Sequence, residues 1–246
     1  MFDIPSTRWP VPTTQRSKWL AAWFVVLACA VFYGVPPVVS GQHATSLNLS
    51  SWERAIPYWP YSVWAYVAQY PLLVAVYAVC QDQNRMGRFL YASCMVQALA
   101  GLVFMFYPVR YPRPPMPQTW QLDALTAALV QGVRSVDAPL NCLPSLHVTS
   151  CLLCIWMAAD QSRAWRLGVA LVAIASMAST LTFKQHYFVD LAAAVPLAAL
   201  GWWLAGQMTS GKLRVGALQQ VNAPERGNSC PAIGARPQTP AQRPTH

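Results

Sequence analysis

Charge is what this chain has least of. Only 10% of its 246 residues are Asp, Glu, Lys or Arg, while 55% are hydrophobic, a balance that excludes an ordinary water-soluble domain and requires a membrane as solvent. The formal net charge of +9 is spread over loops and tail, not gathered on one face with aromatics, which excludes a nucleic-acid interface. Seven cysteines stand at scattered spacings, so no disulfide framework is read. Cys151-x-x-Cys154 sits inside an apolar run without a second pair, so no metal site is read there either. There is no Gly-x-Ser-x-Gly elbow of the kind that serves acyl transfer, and no internal repeat. Histidine occurs only four times.

What the chain does have is long uncharged runs: Trp19 to Gln42, Ala55 to Gln81, Phe89 to Val109, Val148 to Ala159, Leu167 to Phe183 and Leu191 to Gly211. Most approach or exceed the roughly 20 residues that cross a bilayer as a helix, and the Val148 run does so only with Leu146 and His147 in its first turn. These six runs predict an all-α polytopic membrane protein, a bundle of six transmembrane helices. The first is read as a span and not a cleaved leader, because its apolar length covers a full bilayer. Residues 1–18 are then a cytoplasmic N-terminal segment, 19–208 the six-span domain, and 209–246 a basic, Pro-rich tail without periodicity, expected to be disordered.

Orientation follows from the basic residues. Arg8, Arg16, Lys18, Arg85, Arg88, Arg163, Arg166 and those of the tail share one side, against Arg54, Arg110, Arg113, Arg134 and Lys184 on the other. The excess of Lys and Arg marks the cytoplasmic side. On the opposite side, Trp52, Tyr58, Trp59, Tyr61, Trp64 and Tyr66 read as an aromatic belt, with Glu53 and Arg54 as a local ion pair at the surface. In the long loop from Pro108 to Leu143, apolar positions three and four apart, from Trp120 through Leu122, Leu125, Ala128 and Leu129, predict an amphipathic helix lying on the membrane.

On that side two polar islands interrupt the apolar pattern: Pro144-Ser145-Leu146-His147 and Lys184-Gln185-His186-Tyr187-Phe188-Val189-Asp190. Ionisable groups at the edge of hydrocarbon are costly and point to function. His186 and Asp190, four apart, share a helix face. A carboxylate that holds one imidazole nitrogen presents the other as nucleophile or base. Adding His147 as a proton donor and an arginine that grips an oxyanion gives a set suited to phosphoryl transfer.

These residues resemble the type 2 phosphatidic acid phosphatase superfamily, whose motifs appear in order as Arg113-Pro114, Pro144-Ser145-Leu146-His147 and His186-Tyr187-Phe188-Val189-Asp190. The resemblance covers roughly residues 56–205. It implies that His186 is the nucleophile, Asp190 its orienter, His147 the general acid, and Arg113 with Ser145 the phosphate clamp. It implies no metal and no cofactor. Two departures stand out: Phe106 occupies the place of a family lysine, and Thr180, after Ser179, that of a family arginine. Arg110 and Lys184 are candidates to supply the missing charge as further substrate-binding residues. Leu146 within the Pro-Ser-x-His and the His-Tyr start of the last motif look like the branch that includes inositol phosphorylceramide synthase.

The sequence reading is therefore an integral membrane lipid phosphotransferase of the cell membrane, with its active site on the extracytoplasmic face and membrane lipids as substrates. The alternatives are a lipid phosphate phosphatase and, from a different class, a non-catalytic lipid binder or transporter. Charged residues occur only at the ends of the spans, which disfavours a transport path.

Overall fold

The computed structural model describes residues 11–12, 14–115, 121–137 and 139–210. Of the tail expected to be disordered from residue 209, Thr209 and Ser210 instead complete the last helix, while residues 211–246, the first ten residues of the N-terminal segment and Trp120 lie outside the described residues.

All regular elements among the described residues are helical. Their starts are written in short polar side chains that accept the first free backbone N–H groups, worth about 1 kcal/mol each. Thr14 opens α1 (Gln15–Ser40) and Ser50 opens α2 (Ser51–Ala55), each in a reciprocal capping box. A 3-10 turn at Pro60–Ser62 leads into α3 (Val63–Val67) and α4 (Gln69–Val79). Asp82 caps α5 (Gln83–Phe106), Asp123 caps α6 (Ala124–Val136), Ser145 caps α7 (Leu146–Met157) and Ser162 caps α8 (Arg163–Thr182). The last helix is α9 (Phe188–Ser210).

Among the described residues, five stretches are long and apolar enough to cross a membrane: Gln15–Ser40, Pro60–Val79, Gln83–Phe106, Arg163–Thr182 and Phe188–Thr209. The protein is thus a multi-pass membrane protein built as a helical bundle. The other run expected to span forms α7, which has 12 residues and covers only about 18 Å of axis, against a hydrocarbon core of about 30 Å. Its place in the bundle explains its length. It packs against α4, α5, α8 and α9, and it starts inside the bundle: His147 in its first turn stacks on Tyr66. Tyr66 lies about 9 Å along the rod from Pro60 at helical rise. The polar start of α7 is therefore recessed beneath one end of the bundle.

The lower half of α7 closes the main core, placing Cys151, Leu153, Cys154 and Met157 among Leu72, Val76, Phe89, Val96 and Val169. Helix α1 is peripheral. It packs chiefly on α5 and leaves Trp23, Phe24, Leu27 and Val38 exposed. The two helices touch closely because position 101 is Gly: a Cβ there would come 2.9 Å from the Phe32 carbonyl oxygen.

The recessed end is covered by loops. Thr45, Val109 and Asn141 are joined by isolated backbone bridges, with Arg110 N donating to Thr45 O at 2.7 Å and Tyr111 N to Pro139 O at 2.9 Å. The expected amphipathic helix exists as α6, and it is docked on the bundle: Val130, Leu129 and Val133 pack on Val63, Tyr66 and Phe183, while Leu125 and Val136 stay exposed. Glu53 departs from the sequence expectation. It turns inward, and its carboxylate accepts from Ser50 N at 2.8 Å and Phe188 N at 2.7 Å, while Arg54 is exposed. The free N–H groups and positive dipole end of α9 attract the carboxylate more than a solvated arginine does.

Candidate active site

Three consecutive features bring the polar islands together. Lys184, at φ 55° in the left-handed region, turns the chain sharply out of α8. Gln185 N then returns to Thr180 O at 2.9 Å. Ser145 N donates to Asp190 O at 3.1 Å, which ties the start of α7 to the first turn of α9. His147 and His186 consequently line one cavity of about 460 Å³, and both are more than nine-tenths buried.

The tautomer of His186 is set by its neighbours. Its Nδ1 lies 3.1 Å from Cys142 O and 3.2 Å from Asp190 Oδ2. A carbonyl and a carboxylate only accept, so Nδ1 carries the proton and Nε2 keeps its lone pair. Asp190 is fully buried. Its Oδ2 also accepts from Tyr187 N at 2.9 Å, and its Oδ1 has no partner. Tyr187 anchors this segment to the covering loops: its hydroxyl donates to Arg110 O and accepts from Leu47 N, both at 3.0 Å.

His147 is held differently. Its ring stacks on Tyr66 with centroids 4.1 Å apart and planes at 21°, and its Nε2 is 2.9 Å from Ser176 Oγ. The Tyr66 hydroxyl in turn donates to Asp137 Oδ2 at 2.6 Å. Asp137 also accepts from the Tyr33 hydroxyl and lies 3.7 Å from Arg113 Nη2. Arg113 is thereby connected, through Asp137 and Tyr66, to the plane of His147, and its buried Nε has no partner. Tyr33, Tyr66 and Asp137 all line the cavity with the histidines.

Ser145 is fully buried as the N-cap of α7, its Oγ accepting from Val148 N at 3.3 Å. The other two sequence candidates are directed elsewhere. Arg110 Nη2 donates to Gly41 O at 3.2 Å, and Lys184 Nζ donates to Glu53 O at 2.9 Å. Neither lines the cavity, and nor do Arg113 and Ser145. Burial pushes the Lys184 pKa down, partly countered by Glu53. Phe106, at the place of a family lysine, is 79% exposed on the bundle surface, so a lysine there would point away from the histidines. Thr180 is fully buried, with its hydroxyl on Met177 O at 2.7 Å.

Cys142, His186 and Asp190 offer donor atoms within 4.8 Å of one another, the one such trio among the described residues. The donor set fits a cation poorly. Burial pushes the Cys142 thiol pKa up, Asp190 adds to this, and the thiol donates to Pro139 O at 3.3 Å. A soft divalent metal requires the thiolate.

The sequence did not point to Asp137, Tyr66, Ser176 or Cys142. Asp137 was the most findable, since the chain has only eight acidic residues and this one stands just before the Pro144-Ser145 island. Ser176 looks like an ordinary span residue, and Tyr66, read as part of the aromatic belt, is instead buried at 3% exposure, where the fold brings both to His147.

The structure thus brings together a buried His–Asp pair and a second histidine in a helical membrane bundle, with Arg113 joined to them through Asp137 and Tyr66. The chain belongs to the PAP2 superfamily, whose sequence model matches residues 41–204, and it is accordingly of the lipid phosphatase and phosphotransferase type. No curated protein and no solved structure matches the chain.

Proposed function

We propose that this protein is a lipid phosphotransferase that works by double displacement through a phosphohistidine, in a six-span bundle whose active site opens to the extracytoplasmic face. The observation that carries the reading is the pair of histidines on one cavity, with His186 Nδ1 held by Asp190 so that Nε2 is free to attack.

In the first step His186 Nε2 forms a bond to phosphorus while the ester oxygen leaves with a proton from His147. In the second, His147 takes the proton of an incoming alcohol, whose oxygen attacks the phosphohistidine and regenerates His186. Asp190 stabilises the positive charge on His186 during transfer. Arg113, Ser145 and the free amides at the start of α7 carry the charge that builds on the equatorial oxygens. Placement on the extracytoplasmic face rests on the basic residues of the opposite loops, Arg85, Arg88, Arg163 and Arg166.

Transfer from a diester, as in the branch that includes inositol phosphorylceramide synthase, is favoured over monoester hydrolysis by the charge at the cavity. Arg113 reaches it only through the lining residue Asp137, 3.7 Å away, and Arg110 and Lys184 bind backbone carbonyls outside it. A monoester dianion needs more compensation than a diester monoanion, at about 1.5–3 kcal/mol per contact to a charged oxygen. The test offers the purified protein phosphatidic acid and a phosphodiester lipid in parallel, with a lipid alcohol present. Transfer of the phospho-headgroup to the alcohol is the expected product. Rapid release of inorganic phosphate from phosphatidic acid without any transfer product would make the protein a phosphatase.

A further inference from the structure

The segment that carries Arg113 has few means of holding itself in place. In Pro112-Arg113-Pro114-Pro115 three of the four residues lack a backbone N–H, and the one donor left, Arg113 N, reaches only Tyr111 O, at 3.0 Å. Ties to the rest of the fold therefore fall on its flanks. On one side Tyr111 N donates to Pro139 O at 2.9 Å. On the other, Pro114 O, the carbonyl of the residue after Arg113, accepts from Arg134 Nη2 at 2.8 Å.

Arg134 is itself well anchored. It lies in the last turn of α6, the helix docked through Leu129, Val130 and Val133 on Val63, Tyr66 and Phe183, and Thr126 of that helix accepts from Trp64 Nε1 at 3.1 Å. Its guanidinium stands 5.4 Å over the Tyr58 ring, with Nη2 3.3 Å from the Tyr58 hydroxyl. Burial pushes the Tyr58 pKa up, and the charges of Arg134 and Arg113 both oppose it, as expected of two guanidiniums close to one hydroxyl. The residue that ends α6 is Asp137, which lines the cavity and lies 3.7 Å from Arg113 Nη2. The end of α6 thus holds Arg113 twice, its backbone through Arg134 and its guanidinium through Asp137.

We propose that Arg134 is the positioning residue for Arg113: by binding Pro114 O it fixes a proline-rich segment that cannot fix itself, and so keeps the Arg113 guanidinium against Asp137 at the edge of the histidine cavity. Arg134 acts through the backbone and touches no substrate. A planar guanidinium suits the task, because it binds the carbonyl with one edge while its face lies on Tyr58. The assignment rests on the reading of Arg113 as the phosphate clamp, and its test separates the two.

The test is a double-mutant cycle on kcat/KM, in detergent, for an activated aryl phosphodiester of a lipid alcohol. Arg134→Met keeps the reach of the side chain and its packing on Tyr58 but removes the donor. It should lower kcat/KM about 10-fold, much of what a hydrogen bond to a charged oxygen supplies. In the Arg113→Ala background the same change should cost less than about 2-fold. Arg134→Lys, which restores a donor, should return to within about 3-fold of the native protein. A merely structural role, such as a favourable charge near the C-terminus of α6, costs the same in both backgrounds. Equal losses in the two backgrounds, or a methionine loss that lysine does not restore, overturn the proposal. Arg134→Gln takes the place of the methionine variant in the cycle if the latter does not fold. If the native protein does not turn over the diester, the transfer reading falls. The cycle is then read as the Kd of the dialkyl phosphodiester of the same alcohol, as it is if Arg113→Ala leaves too little turnover to measure. Coupled losses there uphold the role of Arg134, and independent losses overturn it.

Discussion

Asp137 is the residue whose replacement reports most about how the site is assembled. Its carboxylate accepts from the Tyr33 and Tyr66 hydroxyls and lies 3.7 Å from Arg113 Nη2. Asn at this position keeps one acceptor but turns an NH2 toward a donor and removes the charge. Hydrogen bonds to charged groups are worth about 1.5–3 kcal/mol, and an unsatisfied buried partner costs a similar amount. Asp137→Asn should therefore destabilise by about 2–4 kcal/mol, which for a domain of this size lowers the melting midpoint by roughly 5–15 °C. Because Tyr66 carries the stacked ring of His147, the same change should slow proton delivery. Turnover of an alkyl phosphodiester should fall at least about 10-fold, and that of an activated aryl diester, which needs little acid assistance, much less. Tyr66→Phe keeps the stack and should cost about 1 kcal/mol. Thermal unfolding in detergent and turnover of the two diesters measure both effects. An Asp137→Asn protein that melts within about 1 °C of the native one and treats both diesters equally would refute the reasoning.

Other outcomes follow from the same geometry. Burial raises the Glu53 pKa, but hydrogen bonds from Ser50 and Phe188 N and the charge of Lys184 outweigh it and hold the group below the ordinary range. Its stabilising contribution is then fully present above the unfolded pKa of about 4.3 and lost as pH falls through the lower folded value, so Glu53→Gln should melt lower than the native protein at pH 7 and converge with it in acid. A gap that persists in acid would remove the ionic explanation. Turnover should survive exhaustive chelation; a loss reversed by one particular divalent metal would place a cation at Cys142, His186 and Asp190 after all. Single cysteines at Gln118 and Gln83 should react with an impermeant reagent in intact cells only at Gln118, and labelling confined to Gln83 would invert the proposed orientation.

Composition was enough to read the bundle, because an apolar run long enough to cross a bilayer has few alternatives to a helix. It was less informative about α7. A run of 12 residues starting at Leu146 looks like a marginal span until its neighbours show that it begins beneath the end of the bundle, against Tyr66. His147, His186 and Asp190 were legible because ionisable groups beside hydrocarbon are conspicuous. Asp137, Tyr66 and Ser176 were not, since their importance lies in what they touch, and those contacts join positions far apart in the chain. The direction of Arg110, Lys184 and Phe106 was equally hidden. Sequence spacing places each beside a motif, but side-chain direction and local backbone turns send the two cations to backbone carbonyls and the ring outward.

The most direct test of the central claim is to trap the covalent intermediate. Brief exposure of the protein to a phosphodiester lipid labelled at phosphorus, followed by a quench in base, should leave label on the peptide carrying His186, because a phosphohistidine survives base and is lost in acid. His186→Ala should carry none. His147→Ala should still accept label from an activated aryl diester and discharge it slowly to an alcohol. Normal turnover without label on that peptide, or label that persists in the His186→Ala protein, would contradict transfer through His186.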